Sequence, residues 1–133
     1  MLNVLQQDPC LYSHLREDIH AFSFKAPSQA AVNQFVGYLS DLRVNESPNT
    51  IRLLLDWSES GLMPLTYTFQ QTRKFFGQYL NWNATRIAIL YGANFPIVMA
   101  ETFFRMVRFS IAYDVKFFPV EARSEALAWL QEE

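Results

Sequence analysis

Ile51-Arg52-Leu53-Leu54-Leu55-Asp56 and Arg86-Ile87-Ala88-Ile89-Leu90-Tyr91 decide how this chain folds. A strand with one wet face alternates apolar and polar residues. Short runs that are nearly all apolar fit strands covered on both faces, the habit of parallel sheets. Parallel neighbours need a crossover, and residues 57–85 supply the room for one helix. Pro64 suits the first turn of that helix, which is expected to run to about Leu80. The second run is stopped by Gly92, and Asn94 stands where it can cap a helix through about Phe109.

The same rhythm extends both ways. Asp18-Ile19-His20-Ala21-Phe22-Ser23-Phe24 reads as a strand closed by Pro27, and Ser28 then holds an N-cap position before Val32, Phe35, Val36, Leu39 and Leu42 at helical spacing. Val115-Lys116-Phe117-Phe118 reads as a short strand, and Ser124 to Gln131 as a closing helix with Ala126, Leu127 and Leu130 inward. The segment before residue 18, with Val4-Leu5 and Leu11-Tyr12 as apolar anchors, can add an antiparallel edge strand. The expected fold is α/β: a mostly parallel four- to five-stranded sheet with helices on both faces, in a single domain over residues 1–133.

Half of the 133 residues are apolar and 18% are charged. That excludes a disordered chain, and no apolar run approaches the roughly 20 residues of a membrane span. The start shows neither a basic n-region nor a sustained apolar stretch, and Cys10 is the only cysteine. The expectation is a soluble cytoplasmic protein. A net charge of −2 with scattered signs gives no footprint for nucleic acid or anionic lipid, and Arg73-Lys74 and Arg105/Arg108 are too small to change that.

The order of elements, together with Asp56-Trp57-Ser58-Glu59-Ser60-Gly61-Leu62, resembles a STAS domain of the SpoIIAA-like group, which includes the anti-sigma-factor antagonists. Asp56-x-Ser58 is similar to that family's Asp-x-Ser step after a central strand. Ser60-Gly61-Leu62 is similar to its Ser-Gly-Leu at the start of the next helix, and Ser124-Glu125-Ala126-Leu127-Ala128-Trp129-Leu130 resembles its closing helix. The resemblance covers about residues 18–133. It implies a non-enzymatic regulatory module that binds a protein partner. In the antagonists the phosphorylated serine lies in an Asp-Ser-Ser/Thr-Gly stretch beyond the first Asp; here the segment is compressed and Glu59 precedes Ser60.

In an open parallel sheet ligands gather beyond the carboxyl ends of the strands. Asp56, Ser58, Ser60, Gly61, Gly92 and Asn94 fall there and form the candidate loop for a partner or an anion. Ser58 and Ser60 are candidates for phosphorylation beside a helix N-terminus, or simply cap it; Asp56 suits an Asx turn. His14 and His20 lack ligand-spaced neighbours, no nucleophile elbow or phosphate loop exists, and neither metal nor cofactor is expected.

The helices carry more rings than one sheet face can cover. Leu65, Phe69, Thr72, Phe76 and Leu80 suffice for the first, yet Tyr67, Phe75 and Tyr79 form a second line. After Asn94, Glu101, Arg105 and Arg108 share one narrow polar arc, while Phe95, Val98, Met99, Phe103, Phe104, Met106, Val107 and Phe109 spread over most of the rest of the helix. Phe75, Tyr79, Phe103 and Phe104 are therefore expected to meet a second copy of the chain in a homodimer, to line a pocket for an apolar small molecule, or to fill an ordinary core. The leading expectation is a dimeric interaction module; the alternative is a small carrier or sensor of an apolar ligand.

Overall fold

The structure, a computed structural model, describes residues 8–15, 19–45, 52–78, 86–107 and 114–132. Val4-Leu5, Tyr79, Leu80, Arg108 and Phe109, to which the sequence reading gave roles, lie outside these residues. In chain order the elements are β1 (Cys10–His14), β2 (Ile19–Phe24), α1 (Gln29–Asn45), β3 (Arg52–Asp56), α2 (Leu65–Gln78), β4 (Arg86–Tyr91), α3 (Ile97–Val107), β5 (Asp114–Pro119), a 3-10 turn (Val120–Ala122) and α4 (Arg123–Gln131).

The five strands stand in chain order, β1-β2-β3-β4-β5; β1 is antiparallel to β2 and every other pair is parallel. The two apolar runs are neighbours, with Leu53 opposite Ile87 and Leu55 opposite Ile89. Their central side chains are all buried. Because each crossover steps to the next strand in one direction, a common hand lays the crossover helices on one face. α1, α2 and α3 duly share a core with Phe22, Phe24, Leu53, Leu55, Ile87 and Ile89. The alternate residues Ile19, Ala21, Leu54, Ala88, Leu90 and Phe118 face the other way, onto Ala126 and Leu130 of α4. Among the described residues helices cover both faces, three on one side and one on the other.

Local sequence explains the elements. Ser28 Oγ accepts the Ala31 N–H at 3.2 Å, capping α1. Ala31, Val32, Phe35 and Leu39 follow at helical spacing, all buried. Phe35 meets Phe22 edge-on at 4.8 Å between centroids. The Tyr67 hydroxyl donates to Asn33 Oδ1 at 2.5 Å, tying α2 to α1. α3 begins at Ile97, so Asn94 does not cap it; Asn94 adopts φ 66 in the preceding turn. Prolines stand at both helix starts instead: Pro64 O accepts from Thr68 N at 2.9 Å and Pro96 O from Ala100 N at 3.1 Å.

α4 has nine residues, too few to be helical by propensity alone. Its C-terminal carbonyls are gathered by two arginines from the parallel strands. Arg86 Nη1 donates to Trp129 O at 2.7 Å and to Glu132 O at 2.9 Å. Arg52 Nη1 donates to Leu130 O, and to Glu132 O at 3.1 Å. The Arg86 guanidinium also lies 5.4 Å from the Trp129 ring centroid. Cations placed on the orphan carbonyls at the negative end of a helix stabilise it on two counts.

Candidate functional site

At the carboxyl end of the sheet, β3 finishes in Asp56, whose Oδ1 accepts the Ser58 N–H at 2.9 Å and the Ser58 hydroxyl at 2.6 Å. This is the Asx turn that Asp56 suits. Trp57 N donates to Leu90 O at 2.8 Å, extending the ladder towards β4, and Gly61 N returns to Trp57 O at 2.8 Å. Gly61 closes the turn at φ 77, a left-handed conformation that glycine takes without strain. Ser60 Oγ donates to Gly61 O at 2.9 Å. Glu59 is exposed and ion-pairs with Lys25 at 3.0 Å. A Cβ on Gly92 would stand 3.2 Å from Ser58 O, so the β4 loop packs directly on the Ser58 turn.

Asp56, Ser58, Ser60, Gly61 and Gly92 are thus brought together, with Asn94 in the turn beside them. The expectation that Ser58 and Ser60 sit at a helix N-terminus needs correction. α2 starts at Leu65, so the two hydroxyls shape a turn ahead of the helix, and Pro64 occupies the place where a cap would stand.

Residues the sequence reading missed extend the site. Five strands at about 4.8 Å spacing are roughly 19 Å across, whereas one helix covers about 10 Å. α4 packs on β3, β4 and β5. Beside it lies a concavity of about 320 Å³ against β1 and β2, with Ala21 and Leu54 among its lining and Leu11, Ser13, Ser23, Asp56 and Arg123 around them. Ser23 pairs with Asp56 across β2 and β3, so a hydroxyl and a carboxylate are adjacent. Arg123, the first residue of α4, adds a cation at the positive end of that helix, where charge of this sign is unfavourable for stability.

Elsewhere the titratable groups serve the fold. Tyr12 Oη and His20 Nδ1 are 2.7 Å apart, and the His14 ring stacks on the buried His20 ring at 4.6 Å. Burial first, and the Asp8 carboxylate second, push the Cys10 thiol up to about 12, so it stays protonated near neutrality. Among the described residues no three His, Cys, Asp or Glu side chains gather as a metal site, and no helix is long and apolar enough to cross a membrane.

The aromatic surplus divides in two. Phe75 is 3% exposed, so this ring belongs to the core of one chain and cannot meet a second. Phe103 is half-buried against Phe69 and Phe104 against Phe117, at 6.0 and 5.6 Å. The fully buried Trp57 gathers Phe24, Phe95 and Phe117 around it. Between these rings the interior gap lined by Trp57, Thr68, Phe69, Ile89 and Phe104 measures about 20 Å³. The outward apolar residues of α3 are others: Val98 at 73%, Met99 at 54% and Met106 at 71% exposure.

Comparison with protein-family models, with curated proteins and with solved structures finds no match in any of the three.

Proposed function

We propose that this chain is a non-enzymatic interaction module of the STAS type that works as a homodimer and meets a protein partner at the carboxyl end of its sheet. An exposed apolar face on α3 carries this reading. A carrier of an apolar molecule needs a cavity of several hundred Å³, on the order of 300 or more. Among the described residues the gap between the rings is about 20 Å³, room for about one water, and the concavity of about 320 Å³ on the other face of the sheet is rimmed by Ser13, Ser23, Asp56 and Arg123. Val98, Met99 and Met106 instead offer apolar surface outward, the mark of a surface meant to be covered.

The strand-end surface is the second contact in this reading. Its turn is preformed, because Asp56 fixes Ser58 and Gly61 reverses the chain, and the adjoining concavity of about 320 Å³ offers both hydroxyls and charge. The Asp56 carboxylate and the Ser58 hydroxyl are engaged with each other, and the Cys10 thiol is kept neutral by burial, which favours binding over nucleophilic chemistry. The regulatory role rests on the motif resemblance.

Native mass spectrometry of the chain purified gently from its host tests both contacts. The expected species is a ligand-free dimer that retains a partner protein, and Ser58→Asp is expected to keep the dimer and release the partner. A monomer carrying an apolar small molecule would establish the carrier instead.

A further inference from the structure

We infer that α3 is the self-recognition element: two copies pair through its outer face as antiparallel helices, about a twofold axis at Thr102. This rests on the dimer reading above and supplies its geometry.

α3 is anchored from one side. Ala100 is fully buried and Phe104 leans on Phe117. Val98, Thr102 and Met106, spaced four apart, form one row along the opposite side with Met99 next to it, and all four are exposed. Glu101 and Arg105, also exposed, form a charged row on one flank.

The pattern reads nearly the same in both directions. About Thr102, Val98 mirrors Met106; about the next residue, Glu101 mirrors Arg105. A twofold axis between antiparallel helices keeps each flank on the same side of the seam and reverses its direction. Glu101 of each copy then faces Arg105 of the other, twice over. Parallel pairing would carry the charged row of one copy to the opposite side of the seam from that of the other, so that Glu101 and Arg105 would not meet. The charge order therefore selects both a second copy and its orientation. Thr102 at the axis is small enough for the backbones to approach closely.

Size sets the strength. Eleven residues span roughly 16 Å of helix, so the seam is smaller than the roughly 1,600 Å² of a standard interface and the dimer should be of micromolar affinity.

Sedimentation equilibrium of the full chain from about 1 to 100 µM spans that range. Wild type is expected to move from monomer to dimer, and Met106→Glu, at a site already exposed and therefore harmless to folding, to stay monomeric. Glu101→Arg and Arg105→Glu should each weaken the dimer about tenfold, since either reversal turns two attractions into repulsions, and the double exchange should recover the loss. Under mild oxidant Thr102→Cys should give a disulfide-linked dimer, because helices in contact bring axis residues within roughly 4–7 Å, whereas wild type, with Cys10 buried, should not. A wild-type monomer at the highest concentration overturns the dimer and the α3 pairing together. A dimer indifferent to Met106→Glu overturns α3 alone, and single charge reversals that the double exchange fails to rescue overturn the antiparallel arrangement.

Discussion

Cys10 opens β1 with its N–H donating to Gln34 Oε1 at 3.0 Å and its thiol sealed between the edge strand and α1. A thiol raised from its ordinary 9.0 to about 12 holds its proton in the folded state after the unfolded chain has released it. Stability is therefore unaffected by this group below about pH 8.5 and falls as pH rises from there through the folded value. The expected outcome is that Cys10→Ala, compared with wild type in urea melts, loses less stability between pH 8 and 10.5. Iodoacetamide at pH 7.5 should label Cys10 only after unfolding; rapid labelling of the native chain would contradict its burial. The sequence exposed less at this scale than at any other. Asp56 was readable as a turn former because its chemistry is local, and so was Ser28 as a cap. Ser13, Ser23 and Arg123 were not, because what joins them to Asp56 is strand pairing and the placement of α4, and nothing local marks either.

Arg52 and Arg86, each the first residue of its strand, show what parallel pairing does for α4. Side by side at the same end of the sheet, they deliver two guanidinium groups to one helix terminus. Arg86→Ala is expected to cost about 2 kcal/mol, through lost charge-assisted hydrogen bonds and lost stacking on Trp129, with Arg86→Gln intermediate. Chemical denaturation reads this directly, and a loss below about 0.5 kcal/mol would mean that water replaces the arginine without penalty. At element scale the sequence was largely legible. Two buried runs, a capped helix and a closing amphipathic helix need only composition and period to be recognised, and all lie within a residue or two of where they were expected. The start of α2 at Leu65 lies within a residue of where Pro64 put it, whereas the start at Ile97 was misplaced because Pro96 stands where Asn94 suggested a side-chain cap.

At the scale of the molecule, α1, α2 and α3 share one face of the sheet and, among the described residues, α4 alone serves the other. The alternation of strands and helices implied helices on two sides; the three-to-one division follows from strands paired in chain order, which no single segment displays. Removing residues 120–133 should bare Leu54, Ala88, Leu90 and Phe118 together. The expected result is a chain that binds a hydrophobic dye and melts without a sharp transition, and a truncated chain with a cooperative melt would show that α4 is dispensable. Strand order equal to chain order also bears on synthesis. As the chain emerges from the ribosome, each new strand can join the growing edge without prying apart two already paired. No hydrogen-bonded ladder need be broken to admit a latecomer. The face beneath α4 must wait, since α4 is made after all five strands, and that interval is when a nascent chain of this design is exposed to aggregation and to chaperones.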